Sequence, residues 1–444
     1  MKINQLSRHP LIAGTFFLTL AGFLSRLIGF FYRIFLSHTV GAEGVGIYQL
    51  IFPVYALAFS FAVAGIQTSI SKFVAEVTAE KNTKCSAGIS HARTYLYVGL
   101  FISLMLSFFC TFVLHQYASF IAEYFLEEPR CAPLLKILAL TIPFCSVHSC
   151  ISGYYYGLQK TVVPAVSQLV EQIVRVGAVY LLYHINVENG QPIDASIAVW
   201  GIVFGEIAST LFCISFTKFG KGQGKRFRYA KNLLVLSLPL TANRVLLNLL
   251  NSVEAIMIPG KLKDFGYSTS DALSVFGVLT GMAMPMVLFP SAITNSVSVV
   301  LLPAISEADA KGDRTYIKNA VKKTCFYCIL LGLCCTLFFL ITGKWIGRVI
   351  FANELAGTLI VTLGWICPFL YLTTTLSSIL NGLGKTSTTF IMNMLGSGIR
   401  IFFVIIIIPL YGIKAYLWGT LVSHLLMALW AVFMLYKLVF KKKG

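Results

Sequence analysis

Apolar runs of about 20 to 27 residues recur from one end of this chain to the other, separated by short polar segments, and none of them alternates in polarity. At 1.5 Å per residue such runs match a hydrocarbon core of about 30 Å, so they are predicted to be helices and not the strands of a membrane barrel. Charged residues fill 12% of the 444 positions and 57% are hydrophobic, whereas an ordinary soluble domain is about 25% charged. So little polar surface cannot cover a water-soluble fold. The spacing predicts spans near 11–36, 47–71, 94–115, 133–157, 162–184 and 196–217, then near 232–259, 272–303, 322–343, 356–381, 387–409 and 412–437. The expected fold is thus all-α integral membrane, with about twelve transmembrane helices. The longest outer loop is only about 17 residues, which leaves no place for a soluble catalytic domain.

The formal charge of +18 is scattered over the segments between spans and forms no patch, so it reports topology and not nucleic-acid binding. With the N-terminus placed inside, 23 of the 35 Lys and Arg fall in inner segments and seven in outer loops, and the remaining five lie within the spans. That bias puts both termini in the cytoplasm of a multi-pass plasma-membrane protein. Lys2 and Arg8 precede a first run too long for a signal-peptide core, which is expected to be retained as a span. Most of the eleven cysteines sit inside apolar runs, so a disulfide scaffold is not supported. Cys325 and Cys328 form a CxxC without a second ligand pair nearby, and small-residue packing is the simpler reading. No metal or cofactor is expected.

The chain repeats itself. Shifting it by 225 residues aligns Pro143 with Pro368, Phe144 with Phe369, Gly157-Leu158 with Gly382-Leu383, Lys160-Thr161 with Lys385-Thr386, and Arg175 with Arg400. A shift of 231 pairs Gly46 with Gly277 and Ser60 with Ser291, and one of 218 pairs Arg26 with Arg244. Two related bundles are predicted, 1–218 and 232–444, joined by a cytoplasmic linker at 219–231. Six spans per repeat leave both halves in the same orientation, the parallel arrangement of transporters that rock around a central cavity. The GLGKT at 382–386 is not a phosphate loop, because Ile379 stands where the first glycine is required and the repeat mate reads GLQKT.

Five arginines lie within predicted spans: Arg26, Arg33, Arg175, Arg244 and Arg400. An arginine facing lipid at mid-bilayer costs about 2.5–3.5 kcal/mol even on the lenient insertion scale, so each must face protein or water. Arg26 and Arg33, seven apart, share one helical face. The spans hold three glutamates, Glu171, Glu206 and Glu254. Glu171 stands four residues before Arg175, the spacing of a local ion pair. Gly396 occupies the equivalent place before Arg400, which is expected to lack a mate, and Glu254 is too far along its helix from Arg244 to pair with it. Five cations against three anions predict a cationic interior suited to phosphate or diphosphate, whose oxygens match the guanidinium fork. Arginines that merely brace helices against carbonyls are the alternative. Asn243, Asn248 and Asn251 add hydrogen-bonding capacity on the seventh span, by the simpler reading for helix association. His148 and His424 are expected to be packing residues.

The stretch LSRLIGFFYRIFLSHTVGAEGVGIYQLIFPVYALAFSFAVAGIQTSISKFVAE (24–76) resembles the start of the stage V sporulation protein B group. That group belongs to the multidrug/oligosaccharidyl-lipid/polysaccharide flippase superfamily. SLPLTANRVLLNLLNSVEAIMIP (237–259) and GMAMPMVLFPSAITNSVSVVLLPAISEA (281–308) are similar to its second-half signature. The resemblance implies a MATE-like fold of two six-helix repeats around a central cavity. It also implies a flippase that exports a lipid-linked anionic glycan, an undecaprenyl-diphosphate-linked peptidoglycan or polysaccharide intermediate, in spore cortex formation. By motif, Arg26, Arg33 and Arg244 match the cationic positions that contact the diphosphate, with Arg400 and Asn251 as further substrate-binding candidates and Glu171–Arg175 as an ion pair. Lipid II flippases and longer sporulation relatives carry two further C-terminal helices, whereas this sequence stops after Lys441–Lys443. Expected partners are the lipid-linked glycan, the bilayer and envelope-synthesis enzymes. The rival readings are a cation-coupled drug exporter of the same fold, a noncatalytic envelope scaffold and a membrane glycosyltransferase. The exporter needs a titrating intramembrane carboxylate, yet all five aspartates lie in predicted loops; the transferase needs acid and base groups at a membrane face, which are not evident.

Overall fold

The computed structural model describes residues 10–79, 85–224 and 226–440; Lys2, Arg8, Lys81, Lys84, Lys225 and Lys441–Lys443, counted above for orientation, lie outside the described residues. Among the described residues there is no strand. Thirteen helices are long and apolar enough to cross a membrane. They are α1 (Pro10–Thr39), α2 (Gly41–Ala79), α3 (Cys85–Gln116), α4 (Cys131–Gly157), α5 (Val162–Glu188), α6 (Ser196–Phe216) and α7 (Arg226–Phe265). After them come α8 (Thr269–Leu288), α9 (Ser291–Ala310), α10 (Arg314–Val349), α11 (Glu354–Gly382), α12 (Thr386–Tyr411) and α13 (Ile413–Val439). The chain is a multi-pass membrane protein.

The count exceeds twelve because the span expected at 272–303 divides at Phe289–Pro290. Proline has no N–H to give the preceding turn and its ring crowds the carbonyl four residues back, so a helix bends or restarts there. Several helices also overrun their apolar cores. The 40 residues of α7 reach about 60 Å, twice the hydrocarbon thickness.

The chain forms two compact units. The first comprises residues up to Tyr32 together with Leu50–Ser252, and the second comprises Arg33–Gln49 with Val253 onward. The end of α1 and the start of α2 therefore belong with the second unit, and α7 up to Ser252 with the first, a division that does not follow the sequence halves. Within the first unit α4 is central, packed against α2, α3, α5 and α6. Ile66, Ile70 and Val74 of α2 close there on Leu96 of α3 and Ile151 and Tyr154 of α4. Within the second unit its repeat mate α11 takes the same place, against α8, α9, α10, α12 and α13.

The duplication extends to atomic detail. A Cβ on Gly157 would stand 2.6 Å from the Ser71 carbonyl oxygen, and one on Gly382 would stand 2.9 Å from that of Leu302; 71 and 302 are themselves repeat mates. One turn earlier, a Cβ on Gly153 would meet the Gln67 carbonyl, while its mate Ser378 donates to the carbonyl of Ser298 at 2.7 Å. Both helices end on the same αL cap. Lys160 N–H reaches Tyr155 O and Lys385 N–H reaches Leu380 O, each at 2.9 Å, with Gln159 (φ 58) and Gly384 (φ 71) in the left-handed position.

The linker is held in place. Ser90 Oγ donates to Lys221 O (2.9 Å), Thr94 Oγ1 to Gln223 O (2.9 Å) and Tyr97 Oη to Gly220 O (2.8 Å), which strap the segment before α7 onto α3. From Arg226 the expected linker is already helix.

Candidate functional site

The membrane arginines fall into two classes. Arg26 on α1 and Arg244 on α7 are exposed, and among the described residues neither has an ion-pair or hydrogen-bond partner. Both belong to the first compact unit, on its two least buried helices. Arg33 and Asn251 are engaged by neighbouring groups. Asn248, on the same face of α7 as Arg244, donates to Ser60 Oγ of α2, and Ser252 Oγ donates to Pro53 O at 3.0 Å. A Cβ on Gly65 would stand 2.6 Å from the Ser237 carbonyl, so α7 lies directly on α2 along this stretch. Helix association, the simpler reading for the asparagines, describes Asn248.

Arg175 and Arg400 are buried or nearly so, and both are neutralised. Arg175 pairs with Glu171 one turn before it on α5, as the spacing predicted. Arg400 corrects an expectation. It does have a carboxylate mate, Glu254 of α7, whose oxygens accept from its Nε at 2.8 and 3.0 Å. Its two terminal nitrogens each donate once more, to Ser397 Oγ at 3.1 Å and Ser423 Oγ at 3.3 Å, and Tyr416 Oη donates to Glu254 at 3.0 Å. Local spacing could not reveal this pair, because the partners are 146 residues apart. With its fork occupied, Arg400 is a brace of the second unit.

His148 also departs from the packing role expected of it. Its Nδ1 lies 3.4 Å from Glu206 and 3.3 Å from Ser209 Oγ, and its Nε2 lies 3.1 Å from Ser167 Oγ. Both serine hydroxyls also lie within bonding distance of a carbonyl one turn back, Ser167 Oγ of Pro164 O at 2.9 Å and Ser209 Oγ of Glu206 O at 3.0 Å. His148, Glu171 and Glu206 present ligand atoms within 4.8 Å of one another. They could hold a cation, but the Arg175 guanidinium already sits on Glu171 and opposes a divalent ion. Sequence gave no signal for this cluster, since its members come from α4, α5 and α6 with no motif between them.

Each of the three membrane glutamates therefore has a basic neighbour: Glu171 has Arg175, Glu206 has His148 and Glu254 has Arg400. What is left over is positive charge.

The sequence profile of the family described as polysaccharide biosynthesis protein matches residues 11–309. Stage V sporulation protein B of Bacillus subtilis (strain 168) is 28% identical over 422 residues, covering 92% of this chain and 80% of that protein. The solved structure of lipid II flippase MurJ in an inward closed conformation has a TM-score of 0.73 at 18% identity, over 94% of this chain and 87% of that one. An inward-facing multidrug resistance MATE family transporter of the MOP superfamily gives 0.71 at 15% identity, over 95% and 96%. These two likenesses establish a MATE-like fold. With the family profile spanning most of its length, the chain belongs to the polysaccharide biosynthesis protein family.

Proposed function

We propose that this protein is a flippase that moves a lipid-linked anionic glycan precursor outward across the bacterial plasma membrane. The cargo is an undecaprenyl-diphosphate-linked peptidoglycan or polysaccharide intermediate used in spore cortex formation, and the cycle is one of alternating access. One observation carries the reading: among the described residues Arg26 and Arg244, on repeat-related helices, have no carboxylate partner, while Glu171, Glu206 and Glu254 each already have a basic neighbour. Hydrocarbon does not tolerate a bare guanidinium, so both must face water or an anion. A diphosphate supplies paired oxygens that suit two such forks. The name of the lipid II flippase, a structural neighbour, and that of the sporulation relative support the cargo class. With both termini inside, outward movement of an anion runs with the membrane potential, worth about 2.3 kcal/mol per charge per 100 mV.

A cation-coupled drug exporter of this fold would need a carboxylate free to trade protons or sodium against a cationic drug. The basic neighbour beside each glutamate argues against it, and a cationic site repels such a cargo. A scaffold without transport would be indifferent to the arginines. In liposomes, wild-type protein should render a lipid-linked precursor accessible from outside. A charge-assisted contact contributes about 1.5–3 kcal/mol, so Arg26→Ala and Arg244→Ala should each slow that exposure by roughly 10- to 150-fold. Unchanged rates in both variants would remove the basis for the reading.

A further inference from the structure

The second compact unit carries a cleft that the arginine pair does not use. It lies between α9 and α10, has a volume of about 800 Å³, and is open to the surroundings on one side. Ile293, Val297 and Leu301, at helical spacing, form its α9 wall. The α10 wall is a single stripe from Tyr316 to Cys334, 18 residues and so about 27 Å of helix. Polar groups gather at one end of that stripe, where Tyr316, Asn319 and Lys323 follow one another turn by turn; beyond Thr324 the wall is apolar apart from the Tyr327 hydroxyl and two thiols. Lys323 is exposed and has no carboxylate partner among the described residues. The cavity volume spread over that length gives a mean cross-section of about 30 Å². This is wider than a straight alkyl chain needs and leaves room for the branch methyls of an isoprenoid.

We infer that this cleft is a docking site for a polyprenyl diphosphate lipid, which lays its isoprenoid chain along Val297, Tyr327 and Leu331 and sets its phosphate against Lys323, Asn319 and Tyr316. The inference rests on the proposed function for the identity of the lipid, but it names a site separate from Arg26 and Arg244, at which cargo is held by tail and phosphate together. An ordinary anionic phospholipid offers the same charge on an unbranched chain, so it is the competitor that the test must separate.

The full chain is reconstituted in liposomes with a polyprenyl diphosphate bearing a diazirine in an isoprene unit near the diphosphate, within reach of the stripe. After irradiation the adducts are mapped by mass spectrometry. They should concentrate on the α9–α10 stripe, and a tenfold excess of unlabelled polyprenyl diphosphate should lower the yield at least fivefold while the same excess of phosphatidylglycerol leaves it unchanged. Lys323→Glu should lower the yield at least fivefold and Lys323→Arg should restore it. Adducts spread evenly over the lipid-facing helices, or equal competition by phosphatidylglycerol, would overturn the proposal, and both readouts use the wild-type protein. Labelling is measured without transport. Flipping that survives Arg26→Ala and Arg244→Ala would therefore sink the functional reading alone, and diffuse labelling would sink only the cleft.

Discussion

Arg400 and Glu254 each occupy a position that neither could hold alone, since an uncompensated charge inside the second unit has neither water nor a counter-ion to stabilise it. Breaking one side of such a pair generally costs about 3–5 kcal/mol, whereas replacing both partners by apolar groups of similar volume is close to neutral. Glu254→Gln should therefore lower stability in detergent by that amount, and the double variant Arg400→Met, Glu254→Leu should recover most of it. Thermal or denaturant unfolding checks both. The reading of the arginines from sequence succeeded where chemistry is local, as at Glu171 and Arg175 one turn apart, and failed where the partner arrives through the fold, as at Arg400. The same holds for His148, whose partners come from two other helices. Gln159 gives a second test at this scale. It adopts φ 58, a left-handed conformation that its mate Gly384 meets without a side chain. Gln159→Gly should raise stability by about 0.5–1 kcal/mol net of the added freedom of the unfolded chain, and Gly384→Gln should cost a similar amount.

The helices α4 and α11 owe their central places to small residues on the face that meets α2 or α9. Gly157 leaves 2.6 Å to a carbonyl and 2.7 Å to Val74 Cβ, and Gly382 leaves 2.9 and 3.1 Å to the equivalent atoms, so neither site has room for a methyl group. Gly157→Ala and Gly382→Ala should each destabilise by about 1–3 kcal/mol, the range of overpacked cores, with Gly157 the worse because its contacts are shorter. Unfolding curves of the two variants side by side would decide this. These elements were legible in the sequence because glycine, proline and lysine kept register across the shift of 225, which apolar composition alone does not impose. The division of α8 from α9 was not, because one proline barely lowers the mean hydropathy of a long apolar run while the backbone treats it as a missing donor. Helix ends were blurred for a similar reason. Polar turns beyond the bilayer continue the same hydrogen-bond ladder, and nothing in their hydropathy marks where the membrane stops.

At the scale of the whole chain, topology is the property the charge pattern addresses most directly. Taken as one broken crossing, α8 and α9 leave six spans per repeat, which predicts that the hairpins at Lys160 and Lys385 lie on one side of the membrane, and the excess of Lys and Arg predicts that this side is the cytoplasm. In a background stripped of the eleven native cysteines, Lys160→Cys and Lys385→Cys should resist an impermeant thiol reagent added to intact cells, and Gly190→Cys should react. Labelling of the two hairpins from opposite sides would refute the parallel repeat. The clasp of Ser90, Thr94 and Tyr97 on residues 220–223 adds that the joint between repeats is fastened to α3 and does not swing free. One contact reaches further. Gly46 and Gly277 are repeat mates, and within the second unit they touch, a Cβ on Gly277 lying 2.8 Å from Gly46 Cα. A residue that meets its own counterpart has the form of an isologous seam, where two identical subunits face each other across a twofold. Here the seam lies inside one polypeptide, so a bulky substitution at either glycine is felt by both repeats.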